Sequence, residues 1–183
     1  FYRTQRLSSL VVGVLGFGVI GERVAKRMME RGAYRVLACD PASMGSIEQT
    51  EGVEPVSQDE LYQTAHLLTL HLDGRAENEG LIDRGVFESM PEPAYLINTA
   101  RGSVVDLEDL VESLRNGDLD GAALDVFPEE PMETQQDWPD RLLMTPHSAG
   151  FGPGLLPDLT GEILEDIQAL ERGDNVRHTV SPT

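Results

Sequence analysis

The chain has 183 residues, enough for one domain with a sizeable core or one domain plus part of another, and 40 % of them are hydrophobic, which argues against disorder. Thirty-two acidic residues against fourteen basic ones give a formal charge of −18. Phosphate backbones and anionic lipid need clustered Lys and Arg, so this balance argues against nucleic acid and membrane surfaces as partners. The basic residues are thirteen Arg and the single Lys26. Such an acidic, lysine-poor surface resembles that of proteins kept hydrated in high salt, but it fits an ordinary acidic soluble protein better. Cys39 is alone, so no disulfide framework exists, and it reads as a packed strand residue of a cytoplasmic protein. No apolar stretch reaches the roughly 18 residues of a membrane span. No signal-peptide pattern opens the chain. Phe1 stands where an initiator Met would, so further sequence is expected upstream.

Along the chain, short apolar runs alternate with helical periods, the rhythm of βαβ units. Residues 11–15 read as a buried parallel strand. A glycine turn follows, and then Val19, Ile20, Val24, Ala25, Met28 and Met29 recur at helical spacing as far as Arg31-Gly32. Residues 34–39 form the second strand, 41–57 are polar and rich in turn formers, and 59–63 suit a short helix. The third strand is 67–70. A helix over 83–90, a strand over 94–98, a helix capped by Asp106 and ending at Asn116-Gly117, and strands over 121–126 and 142–144 come next. Residues 128–140 make a long proline-punctuated loop. Residues 155–172 form a helix with Leu156, Leu159, Ile163, Ile167 and Leu170 on one stripe. About six strands joined by helical crossovers predict an open, parallel, doubly wound α/β sheet of the dinucleotide-binding type.

The turn Gly16-Phe17-Gly18-Val19-Ile20-Gly21 lies between a strand and a helix, and Asp40 closes the second strand 19 residues after Gly21. Gly16 permits a tight turn, Gly18 lets backbone approach a pyrophosphate, and Gly21 lets the helix pack close. The phosphates would meet the free N–H groups and dipole of the helix N-terminus. Asp40 is placed for the adenosine ribose hydroxyls, and its charge opposes a 2′-phosphate, so the expected cofactor is NAD rather than NADP.

Three polar side chains stand in unusual local sequences: Arg101 in Asn98-Thr99-Ala100-Arg101-Gly102, Glu130 in Pro128-Glu129-Glu130-Pro131, and His147 in Thr145-Pro146-His147-Ser148-Ala149-Gly150. A 2-oxo acid carries a carboxylate beside a ketone, and a planar guanidinium can hold the first while polarising the second. When hydride reaches the carbonyl carbon, the oxygen needs a proton, which an imidazole can give. A carboxylate partner such as Glu130 would favour the protonated ring and fix its tautomer. Duller roles exist: Arg101 as a surface ion pair, Glu130 as one more loop carboxylate, and Asp125 as a turn cap. No His, Cys or carboxylate set has metal-ligand spacing.

With Ala123-Leu124-Asp125-Val126-Phe127 and Glu130-Pro131 added, these motifs make the chain resemble the nucleotide-binding domain of the D-isomer-specific 2-hydroxyacid dehydrogenases over nearly its whole length. The resemblance implies that Arg101 binds the substrate carboxylate and carbonyl, that His147 is the acid/base, that Glu130 pairs with it, and that Asp125 contacts the nicotinamide carboxamide. The expected catalytic set is therefore Arg101, Glu130 and His147. The expected cofactor-binding set is Gly16, Gly18, Val19, Ile20, Gly21, Asp40, Pro41, His71, Thr99, Ala100, Arg101, Asp125, His147 and Ala149.

The sequence departs from the family pattern after the third strand, where Leu70-His71-Leu72-Asp73-Gly74-Arg75 replaces a stretch with a proline and a threonine. A second departure is Phe151-Gly152-Pro153-Gly154, where the family usually has a helix-capping Thr or Ser. The resemblance also implies that most of a substrate domain lies outside this chain. Residues 1–10 then act as a connecting segment, 11–154 as the NAD-binding domain, and 155–183 as a helix and tail returning toward the other domain. A homodimer through the nucleotide-binding domains is expected. Other outcomes of the resemblance are an NAD-sensing corepressor-like interaction protein and a formate or phosphite dehydrogenase relative.

Overall fold

The computed structural model describes residues 5–131, 137–152 and 155–175. They fall into two compact units, one reaching as far as His147 and the other starting at Ser148. The first is built around a seven-stranded sheet. Its strands are β1 (Val11–Leu15), β2 (Arg35–Cys39), β3 (Val53–Pro55), β4 (Leu67–Leu70), β5 (Tyr95–Asn98), β6 (Gly121–Leu124) and β7 (Leu142–Met144). Every neighbouring pair is parallel, in the order β3-β2-β1-β4-β5-β6-β7. The doubly wound expectation is thus met. The chain runs outward from β1 to β3, then crosses back to place β4 on the other side of β1, which creates the switch point where open α/β sheets bind ligands.

The apolar run Val11-Val12-Gly13-Val14-Leu15 is buried along its whole length, as a central parallel strand must be when both its faces are covered. One face packs α1 (Val19–Glu30) and α2 (Met44–Gln49) against Val12, Val14, Val36, Ala38 and Val53. The opposite face packs α3 (Gln58–Thr64), α4 (Arg84–Ser89) and α5 (Leu107–Asn116) against Leu37, Leu68, Leu70, Leu96 and Leu124. The helices of this second layer begin on side-chain caps. Ser57 accepts from the Glu60 N–H, Asp83 from Val86 and Asp106 from Asp109 at 3.0 Å. Each such cap contributes about 1 kcal/mol.

Two elements are additional to the sequence reading, and one strand is shorter. Residues 41–57 hold α2 and β3 rather than turns alone, and the sheet has seven strands, not six. Both extra elements are short, and each buries one main anchor, Ile47 and Val53, so neither displays a repeating apolar period. The strand expected over 121–126 ends at Leu124, which leaves Asp125 just past the strand.

On the α1 side, Leu67, Tyr95, Ile97, Ala123 and Leu143 line an open groove of about 470 Å³ across the half of the sheet beyond β1. In the second unit, α6 (Leu155–Arg172) matches its expected span, and Ile163, Ile167 and Leu170 of its apolar stripe are exposed. The Leu156 and Leu159 side chains and the whole of His178 lie outside the described residues. Among the described residues no helix is long and apolar enough to cross a membrane, and no group of three or more His, Cys, Asp or Glu is arranged to hold a metal ion.

Candidate active site

Because all strands are parallel, their C-terminal ends share one edge of the sheet, and the expected site residues follow those ends. Gly16 follows β1, Asp40 β2, His71 β4, Thr99 to Arg101 β5, Asp125 β6, and His147 lies three residues beyond β7.

The glycine turn has a geometry that only glycine supports at two positions. Gly16 has φ +89°, and a Cβ there would stand 2.7 Å from the His71 carbonyl. At Gly21 a Cβ would stand 2.1 Å from the Gly16 carbonyl oxygen, so α1 packs directly onto the turn. Gly18 meets nothing within 4 Å, and Val19 and Ile20 are 69 % and 66 % exposed, so open space lies over the first turn of the helix. Asp40 fixes this turn: its Oδ2 accepts from the Phe17 N–H at 2.8 Å and its Oδ1 from Ala42 at 2.9 Å. Pro41, between them, is exposed.

His71 forms the wall facing that turn. Its Nε2 lies 3.1 Å from the Thr69 hydroxyl, and burial pulls its pKa down from 6.5 to about 4, so the ring is neutral at physiological pH. The other strand-flanking histidine, His66, accepts a hydrogen bond from the Val11 N–H at its Nδ1 and has no place at this edge. Cys39 is buried at the end of β2, and desolvation raises its pKa, which suits packing and not nucleophilic chemistry.

Asn98 builds the turn carrying Arg101. Only 1 % exposed, its Oδ1 accepts from the Ala100 N–H at 3.0 Å and its Nδ2 donates to the Arg101 carbonyl at 2.9 Å. Thr99 is exposed and Ala100 buried. Arg101 donates from Nη1 to the Ala100 carbonyl at 2.6 Å, and no carboxylate pairs with it among the described residues. That leaves donors of its fork available to an anion.

Glu130 and His147, seventeen residues apart, meet directly: the imidazole Nδ1 lies 2.8 Å from Glu130 Oε2. The second oxygen of Glu130 accepts from the Phe127 N–H at 2.9 Å. These two bonds, the one to His147 first, hold the Glu130 carboxyl below its usual range, so it is ionised and can only accept. Nδ1 therefore donates, and Nε2 is left to face a reacting group. The His147 side chain is 56 % exposed. Its backbone has φ +50°, a left-handed conformation uncommon outside glycine and fixed here by a bond from the His147 N–H to the Asp125 carbonyl at 2.9 Å. Asp125, 4 % exposed, accepts from the Thr145 hydroxyl at 2.5 Å. Ala149 belongs to the second unit and is exposed.

The sequence reading missed the supporting contacts. Asn98, Gly102 and Thr145 lay inside the motifs it used but were given no task. A Cβ on Gly102 would come within 2.0 Å of the Phe127 carbonyl carbon, so the Arg101 turn sits directly against the loop holding Glu130. Thr69 carried its own signal, a hydroxyl in the middle of an apolar strand.

Residues 1–149 match the NAD-binding domain of the D-isomer specific 2-hydroxyacid dehydrogenases. The chain belongs to that family. A D-specific alpha-keto acid dehydrogenase of Enterococcus faecalis is 35 % identical over 185 residues, which span 93 % of this chain and 55 % of that protein. Among solved structures, the NAD-complexed D-isomer specific 2-hydroxyacid dehydrogenase of Lactobacillus delbrueckii is 25 % identical with a TM-score of 0.82, over 97 % of this chain and 58 % of its own. The NADPH-dependent glyoxylate/hydroxypyruvate reductase of Sinorhizobium meliloti, complexed with NADP and sulfate, is 25 % identical with a TM-score of 0.83, over 97 % and 57 %. The chain thus spans about half the length of the relatives it matches.

Proposed function

We propose that the protein transfers a hydride between NAD(H) and a small D-2-hydroxy acid or its 2-oxo acid, with this chain supplying the cofactor-binding half of the cleft and the catalytic residues. The observation that carries this reading is the 2.8 Å pair of His147 and the ionised Glu130, held at the sheet edge that also carries Arg101 and the glycine turn.

The turn suits a pyrophosphate: the Gly16–Gly21 contact leaves no room for a side chain, while the space over Gly18 and the first N–H groups of α1 stays open. Gly16, Gly18, Val19, Ile20 and Gly21 would hold the phosphates, Asp40 and Pro41 the adenosine, and His71, Thr99, Ala100 and Asp125 the remaining length of the cofactor. When bound, NADH supplies the hydride. Arg101 binds the substrate carboxylate with its free donors and polarises the ketone. His147 donates the Nε2 proton to the carbonyl oxygen during reduction and takes it back during oxidation. Glu130 holds the ring so that Nε2 faces the substrate. Asp40 favours NADH over NADPH because its carboxylate opposes a 2′-phosphate. The reading includes a cytoplasmic homodimer with 1–10 as a connecting segment, 11–154 as the cofactor domain and 155–183 as the return segment.

The test is NADH oxidation by the gene product with glyoxylate, hydroxypyruvate, pyruvate and phosphohydroxypyruvate. Turnover of at least one supports the reading. NADH binding without turnover of any of them would point instead to a cofactor-sensing interaction protein or to oxidation of formate or phosphite.

A further inference from the structure

Arg101 carries a long, exposed side chain, yet its stem lies against a neighbouring loop. A Cβ built on Gly74 would stand 3.3 Å from Arg101 Cγ, 3.6 Å from Cδ and 3.9 Å from Nε, so the Gly74 backbone runs alongside the arginine stem. Farther out, Nη1 donates to the Ala100 carbonyl at 2.6 Å. The φ of Gly74 lies outside the left-handed region, so the backbone itself would accept a side chain there. What the missing Cβ makes room for is Arg101. Gly74 is in turn fixed by its own loop. Asp73 accepts from Arg75 Nε and Nη2 at 2.8 and 2.6 Å, and Asn78 Nδ2 donates to Asp73 Oδ1 at 3.0 Å and to the Asp73 carbonyl at 3.1 Å. That carbonyl belongs to the peptide group entering Gly74, so Asn78 holds the plane of the peptide on which the stem rests. At the start of the loop, the backbone of His71 is pressed against Gly16 of the glycine turn.

We propose that Gly74 is a positioning residue for the substrate: it is the rest on which the Arg101 stem lies, and it sets where the guanidinium meets the carboxylate of a 2-oxo acid. This deepens the hydride-transfer reading above and rests on it. An arginine ordered only when its ligand arrives loses rotamer freedom at that moment, and packing the stem beforehand removes part of that loss. The planar fork also meets a carboxylate in a fixed geometry, so its bonds are sensitive to where the stem points. A methyl group at position 74 would displace the stem by a few tenths of an ångström at Cγ. Because that contact precedes the guanidinium, the displacement is carried out to the fork. A branched side chain would reach Cδ and Nε as well. Gly74 thus acts on the substrate through Arg101 alone.

The experiment compares the whole gene product as wild type, Gly74→Ala, Gly74→Val, Arg101→Ala and the double variant Gly74→Ala/Arg101→Ala. Steady-state kinetics use whichever of glyoxylate, hydroxypyruvate, pyruvate and phosphohydroxypyruvate the wild type reduces best. A second readout is binding of oxamate, a carboxylate beside a carbonyl that is not reduced, to the enzyme with NADH, followed by nicotinamide fluorescence. Gly74 is exposed, so neither substitution threatens the fold, and the thermal midpoint should stay near that of the wild type. Gly74→Ala should raise the KM of the oxo acid and the Kd of oxamate by about fivefold, and Gly74→Val by about tenfold or more, the scale of one hydrogen bond to a charged group. The Kd of NADH should change less than about twofold. In the Arg101→Ala background no stem remains, so Gly74→Ala should alter the residual kcat/KM by less than about twofold. An equal loss with and without Arg101, or equal weakening of NADH and the oxo acid, would overturn the proposal. So would an unchanged KM and oxamate Kd in Gly74→Val, with the hydride-transfer reading left standing. If the wild type reduces none of the four acids, that reading fails, and this inference fails with it.

Discussion

His71 makes the stability of the cofactor edge depend on pH. Its folded pKa of about 4 lies below the ordinary 6.5, because burial beside the glycine turn disfavours the charged ring. The direction is fixed by linkage. Above pH 6.5 neither state binds this proton and nothing is lost; as pH falls below 6.5 the unfolded chain takes it up while the folded one does not, so stability drops until about pH 4. At about 1.36 kcal/mol per unit, a difference of 6.5 − 4, or about 2.5 units, gives a full loss of about 3 kcal/mol, of which about 2 kcal/mol is already present at pH 5. Urea unfolding at about pH 7.5 and pH 5 measures it, with His71→Gln as reference. Glutamine keeps a neutral polar group beside Thr69 and cannot titrate, and all other titrations are common to both proteins. The wild type should therefore lose about 2 kcal/mol more than the variant over that interval. Parallel losses in the two proteins, to within about 0.5 kcal/mol, would refute burial of a neutral His71.

Four further outcomes are expected. Replacing His147 with Ala should lower 2-oxo acid reduction by about 100-fold or more while NADH affinity, read by titration, stays nearly intact; unchanged turnover would remove the imidazole from the mechanism. Gly102→Ala should destabilise the fold by about 2 kcal/mol or more in urea unfolding, since the added methyl would overlap the Phe127 carbonyl. Asn98→Ala leaves the buried Ala100 N–H unpaired and should cost about 1–3 kcal/mol, with a fall in kcat/KM as the Arg101 turn loosens. With a charge of −18, self-repulsion opposes the compact state, so the thermal midpoint should rise between about 0.1 and 1 M KCl; a flat response would leave the acidity without a role in stability.

The parts of the fold legible in the sequence were those with a local cause. The glycine turn was readable because steric contact at Gly16 and Gly21 admits no side chain, and α5 because Asp106 and Gly117 mark its ends within its own sequence. Val53 gave no such signal: its burial depends on pairing with Val36 from β2, a relation no local period encodes. The same holds at the site. Arg101, Glu130 and His147 stood out by their surroundings, but the Glu130–Phe127 bond, the Asp125–Thr145 bond and the Gly102–Phe127 contact are set by how loops from different strands meet. The loop after β4 was noticed only as a departure. What Asp73, Arg75 and Asn78 make of it became visible once the backbone brought them within bonding distance.

The close approach of Gly102 to Phe127 has a mechanical consequence. The cation-bearing turn and the loop gripping the acid/base pair share a contact without space for even a methyl group, and the same loop is tied to the imidazole through Glu130. The backbones that carry these three polar groups therefore cannot be adjusted one at a time. They are set as one unit, so a shift in the backbone that carries one of the groups has to be matched by the backbone of the other two.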